Sequence, residues 1–158
     1  MKRSLIHAIA IIAFNAGPAW AAGGGDDAGL RPERGDPALE AIQAAVGKSD
    51  WAQARTLARA SIEKDAAKAD YHNLYAYAIR MGAKPEMELV FKHYNEALRL
   101  DPKHRRAHEY LGEAYLMVGN LAKAKEQLKA LDNLCFFSCA EFTMLKKAIA
   151  DYEARPPR

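Results

Sequence analysis

An all-α fold built from repeated helix pairs is the class this sequence predicts, and three observations predict it. No segment shows the period-two alternation of apolar and polar residues that marks a half-buried strand. From Asp36 to Tyr152, capping residues and helix-period apolar positions follow one another with short interruptions. The chain is also similar to itself at a shift of 34 residues, which is about the length of two helices and their turns.

The N-terminal stretch is of another kind. Lys2 and Arg3 precede an apolar run over residues 4–14, Gly17 and Pro18 break it, and Ala19 and Ala21 put small residues at the two positions a signal peptidase reads. Residues 1–21 are therefore expected to be a cleavable signal peptide, cut after Ala21 and directing a small bacterial protein to the periplasm or the medium. At about 1.5 Å per residue the run is too short to cross roughly 30 Å of hydrocarbon, so no stable membrane span is expected. No cysteine follows the run, so no lipid-modified N-terminus is expected. Residues 22–35 are rich in Gly, Pro and charge and read as a flexible linker, the helical domain as 36–153, and residues 154–158 as a disordered tail. Cleavage would remove two of 23 basic residues and none of 20 acidic ones, leaving a formal net charge of +1. Binding to nucleic acid then has no electrostatic support.

Seven helices are expected in the domain. Asp36 is a natural N-cap before Pro37, with Leu39, Ile42 and Val46 on one face and Gly47 closing the helix. Asp50 and Gln53 resemble a capping box before Trp51, Ala54, Leu57, Ala58 and Ile62. Asp65 or a neighbour is expected to open a third helix ending at Met81, and Pro85 a fourth ending before Asp101 and Pro102. A fifth runs from there to Val118, Gly119 and Asn120 turn the chain into a sixth, and Ser138 with Glu141 is expected to cap a seventh.

At the shift of 34, Tyr77 falls on Leu111 and Leu145, and Met81 on Tyr115 and Ile149. Ala78 falls on Gly112, Val90 on Ala124, Tyr94 on Leu128, and Ala97 on Leu131. In this pattern Leu111, Gly112 and Tyr115, then Ala124, and in the preceding repeat Ala97 and Pro102, resemble the tetratricopeptide repeat family. The resemblance implies a helix-turn-helix solenoid of about three repeats with a C-terminal capping helix. It covers residues 71–138 well, while residues 35–70 fit as a degenerate repeat. The seventh helix keeps phase through Phe142, Leu145 and Ile149 with Lys146 at the small position, and His108 stands where the family has Trp, Phe136 where it has Pro.

The resemblance further implies a concave groove lined by the first helix of each repeat. The residues expected to face it are His72, Tyr75 and Ile79, then Arg106, Glu109 and Glu113, with Thr143 and Lys147 on the cap. The carboxylate clamp of some family members needs Lys, Arg and Asn where Tyr75, Ile79, Glu109 and Glu113 stand, so a C-terminal acidic ligand is disfavoured. A protein or peptide segment bearing Lys or Arg on an apolar background is the expected partner. Exposed ends of such a stack also allow self-association. No phosphate loop, nucleophile elbow or zinc helix is present in the sequence, so neither catalysis nor a cofactor is expected.

Cys135 and Cys139 are the only cysteines. In an exported chain a structural disulfide across the corner of the sixth and seventh helices is the default, worth about 2 kcal/mol for so short a loop, with Phe136 and Phe137 tucked into the end of the array. The alternative is a periplasmic thiol-redox or copper-handling factor that uses the two sulfurs, with Met144 as a further soft ligand. His104 and His108, four apart, could also share a metal, although His108 occupies a packing position.

Overall fold

The computed structural model describes residues 35–155; the predicted signal peptide, nearly all of the linker and the end of the tail lie outside the described residues. Its helices are α1 (Pro37–Gly47), α2 (Trp51–Lys64), α3 (Ala69–Met81), α4 (Met87–Leu100), α5 (Arg105–Met117), α6 (Leu121–Leu134) and α7 (Ala140–Glu153). Among the described residues no helix is long and apolar enough to cross a membrane.

Local chemistry explains most of the starts. The Asp36 carboxylate accepts from the N–H groups of Ala38 and Leu39, Asp50 from Gln53, and Asn120 from Lys123, each satisfying donors that the first helical turn leaves open. His104 does the same for α5, its Nδ1 accepting from Ala107 N–H at 3.1 Å. Gly119, at φ +78°, makes the left-handed turn into α6.

Two predicted caps are not made. Asp65 closes α2 and accepts from Ala67 N–H inside the turn, so α3 begins four residues later, at Ala69. Ser138 lies one residue before the N-cap of α7: Cys139 takes the N-cap place without a side-chain bond, and Ser138 instead meets the hydroxyl of Thr143, which donates to the Cys139 carbonyl.

Packing sorts the helices into two rows. Among the described residues sequential helices pack against one another, and α1, α3, α5 and α7 also touch one another in order, whereas α2, α4 and α6 touch only first-row helices. Direct contact along one row and none along the other places the first row on the inside of the curve. Pair after pair, this is a helical solenoid with α7 closing its end.

The core runs through the joints between pairs. Ile42, Tyr75, Ile79, Val90, Tyr94 and Leu111 form one buried cluster; Ala124, Leu131, Leu145 and Ile149 form another beneath α7. Burying a side chain such as Leu145 stabilises by roughly 1.5–3 kcal/mol. Small residues permit the approach. A Cβ on Gly112 would lie 2.5 Å from Leu145 Cδ2 and 2.7 Å from Cδ1, so this glycine lets the capping helix approach α5 closely.

Candidate functional site

The inner row has two parts, and the predicted groove residues fare differently in each. On α3, His72, Tyr75 and Ile79 are only 5%, 6% and 2% exposed and turn toward the outer row. The His72 ring stacks on His93 of α4 with centroids 5.1 Å apart, and Tyr75 meets the same ring edge-on at 4.6 Å. On α5, Arg106 is exposed and Glu113 half-buried, while Glu109 is 2% exposed. Thr143 and Lys147 are exposed on α7.

The reason for the α3 correction is a register change. Second helices α4 and α6 begin 34 residues apart, but first helices α3 and α5 begin 36 apart, because the link at residues 82–86 is two residues longer than the link at 118–120. Two residues rotate a helix face by about 200°. The histidines mark the true register. His72 Nε2 lies 3.1 Å from the Ala66 carbonyl oxygen and its Nδ1 2.9 Å from His93 Nδ1; His108 Nε2 lies 3.1 Å from the Pro102 carbonyl oxygen and its Nδ1 2.8 Å from the Gln127 side chain. His72 and His108 are therefore equivalent, and the places assigned to Tyr75 and Ile79 belong to Asn73 and Tyr77. The recurrence of His in "YHNLYA" and "AHEYLG", 36 residues apart, was the available signal.

Asn73, Tyr77 and Arg80 follow at i, i+4 and i+7 and face α5 and the groove. Tyr77 stacks on Tyr110 with centroids 4.5 Å apart, and the Arg80 guanidinium sits 5.4 and 5.6 Å from the two ring centres. Arg80 Nη2 donates to Glu113 Oε2 at 2.7 Å, and its Nε donates to the Tyr94 hydroxyl at 3.3 Å. Glu113 thus has its cation within the fold. Beside this cluster a cleft of 260 Å³ opens between α5 and α7, walled by Arg80, Glu113, Met117, Asp151 and Tyr152 among others.

Among the described residues two buried acceptors are left over. Asn73 Oδ1 and Glu109 Oε2 have no hydrogen-bond partner, and the two residues are 1% and 2% exposed. Thirty-six residues apart, they hold the same place in successive repeats. Burial, then the neighbouring carboxylates of Glu113 and Glu141, pushes Glu109 up to about 7, against the weaker pull of Arg106 and Arg80.

The metal and thiol alternatives find their atoms engaged elsewhere. His104 Nε2 lies 3.1 Å from Asp70 Oδ1 while its Nδ1 caps α5, and both nitrogens of His108 are bonded as above. The sulfurs of Cys135 and Cys139 stand 2.02 Å apart, at disulfide distance, with Cα atoms separated by 5.7 Å. Phe136 and Phe137 do not tuck into the array: they are 94% and 83% exposed and pack edge-on against each other, because the corner turns outward between the two cysteines.

No protein-family model and no curated protein matches the sequence. Among solved structures, the chain is similar to the Yersinia enterocolitica type III secretion translocator chaperone SycD, with a TM-score of 0.64 and 15% identity over 75% of this chain and 80% of that one. A second SycD structure, an alternative dimer, gives 0.61 and 17% over 73% and 86%. The TPR2B domain of yeast Sti1, in its pHsp70 complex, gives 0.63 and 19% over 74% and 94%. The fold is of the tetratricopeptide-repeat type.

Proposed function

We propose that this chain is an exported scaffold that holds a segment of another protein in the groove along α3, α5 and α7, and has no catalytic activity of its own. The observation that carries this reading is the inner face itself, where the stacked Tyr77 and Tyr110, held by Arg80, adjoin a cleft walled by Met117, Asp151 and Tyr152 and offer aromatic, apolar and acidic contacts together. A translocator chaperone and a domain complexed with pHsp70 are among the structures of similar fold, which supports protein binding as the class of function. Export rests on the N-terminal sequence pattern, and N-terminal sequencing of the mature protein tests it. Engagement of both sulfurs with each other gives the thiol-redox reading no independent support.

The deciding experiment is photo-crosslinking in intact cells from a probe at Tyr77. A dominant adduct that disappears when Glu109 and Glu113 are both reversed to Lys, in a variant that circular dichroism shows to be folded, supports the groove. Absence of any adduct, with the probe variant folded and exported, overturns it.

A further inference from the structure

Single apolar residues at a surface need no explanation, but two adjacent aromatic rings in open solvent do. Among the described residues Phe136 and Phe137 are the most exposed large apolar side chains, at 94% and 83%, and the next, Met117, is at 52%. Their rings pack edge-on with centroids 5.1 Å apart, and the bond between Cys135 and Cys139 holds the ends of the loop at a Cα separation of 5.7 Å. The pair thus forms a short, closed tip.

The neighbouring turn supplies charge. A Cβ on Gly112 would meet Leu145, and one on Gly119 would lie 3.6 Å from the Tyr152 hydroxyl, the same offset along the two helices. Helices α5 and α7 therefore run in one direction, and their N-termini share an end of the array. Lys125 near the start of α6 pairs with Glu153 at the end of α7, which puts the corner between α6 and α7 at that same end. Carried back along both helices, the offset sets Lys103, Arg105 and Arg106 level with residues 136–139. These three cations and Lys146 of α7 are exposed, and none has an ion-pair partner among the described residues. The carboxylates on the same elements are Asp101, whose Oδ1 accepts from Lys103 N–H, the exposed Asp132 and the half-buried Glu141. Cations are in excess around the tip.

Area and charge select the occupant. Beyond Met144, 49% exposed on α7, no large apolar side chain widens this patch among the described residues. Two rings and a methionine fall well short of the roughly 1,000 Å² that a specific protein interface needs. A second copy would also bring the same cations to the contact, where they repel. A bilayer needs no matching shape: aromatic side chains settle at its interface, and each cation near an anionic leaflet strengthens binding about fivefold.

We propose that this end of the array is a peripheral membrane contact, in which Phe136 and Phe137 enter the interfacial layer of a bilayer carrying anionic lipid while Lys103, Arg105, Arg106 and Lys146 meet its phosphates. The contact does not depend on the groove reading.

Flotation of the purified mature protein tests it, with vesicles of phosphatidylcholine alone and of phosphatidylcholine with about one-third phosphatidylglycerol. At low salt the protein is expected to float with the mixed vesicles and to bind the neutral ones at least about tenfold more weakly. Phe136→Ser with Phe137→Ser should weaken binding to the mixed vesicles by about tenfold or more, and Lys103→Gln with Arg105→Gln should do the same while narrowing the difference between the two vesicle types. All four positions are exposed, and circular dichroism verifies that both double variants fold. In Phe137→Trp the added emission should shift to the blue on mixed vesicles and be quenched by brominated acyl chains. Failure of the wild-type protein to float with mixed vesicles overturns the contact, as does equal flotation of the Ser variant. A dimer in analytical ultracentrifugation that the Ser variant loses, without flotation, assigns the tip to a second copy and overturns it as well.

Discussion

His72 and His108 make the same pair of contacts one repeat apart: each reaches the carbonyl oxygen six residues before it, and each meets a side chain of the outer helix, His93 in one case and Gln127 in the other. With Nε2–H of a neutral His72 ring donating to the carbonyl, its Nδ1 accepts and His93 Nδ1–H donates. Burial, then the facing His72 ring and Lys92, holds His93 down at about 4, below its ordinary 6.5. The folded state therefore binds fewer protons than the unfolded state between about pH 4 and 6.5, and stability falls as pH drops through that window. His93→Gln copies the Gln127 arrangement and removes this titration. It should leave stability at pH 7.5 nearly unchanged and gain on the order of 1 kcal/mol over wild type at pH 4, after allowance for solvent screening at a half-buried site. Urea unfolding at the two pH values checks this.

Gly112 is set by its neighbour. Leu145 is fully buried, so its methyl groups have nowhere to go when a Cβ arrives 2.5 Å away. Gly112→Ala should cost about 1–3 kcal/mol even though alanine is the better helix former. Combining it with Leu145→Val should cost less than the sum of the two single changes, since valine vacates part of the space the new methyl needs. Chemical denaturation of the four proteins closes the cycle.

Helix types and their order were legible because each rests on local chemistry: Asp36, Asp50 and Asn120 cap the helices they precede, and α4 and α6 keep the 34-residue period. The facing of α3 was not, because the only trace of its register is the length of a link that carries no apolar pattern. Apolar residues cover nearly the whole of this central helix, so periodicity could not distinguish its two sides. Glu109 was legible as an inner-face residue, but its raised carboxyl also reflects Glu141 of α7, which the local sequence of α5 does not contain. Arg80 looks like an ordinary last-turn cation until Tyr77, Tyr110 and Glu113 surround it.

The corner at residues 135–139 separates two contributions that the sequence joins. Phe136 and Phe137 are exposed, so replacing both with Ser should change stability by no more than about 0.5 kcal/mol. The cross-link is different. Cys135→Ser with Cys139→Ser should cost about 2 kcal/mol by chain entropy, and the wild-type protein should fall to the same level in dithiothreitol. Thermal melts with and without reductant compare all three.

Glu109 should make the fold less stable toward alkaline pH. Its carboxyl is raised from 4.5 to about 7 in the folded state, so between those values the folded chain holds a proton that the unfolded chain has released. That contribution is complete below about pH 4.5 and is lost as pH rises through 7. Glu109→Gln keeps the shape and removes the charge, so relative to wild type it should be more stable at pH 8 by on the order of 1–2 kcal/mol, once solvent screening is allowed for, and much closer to it at pH 4.5. The difference between the two unfolding curves is the measurement, since it cancels the other carboxylates. A constant difference across pH would mean that Glu109 ionises in its ordinary range and that its surroundings are far more polar than the packing of α5 against α7 implies.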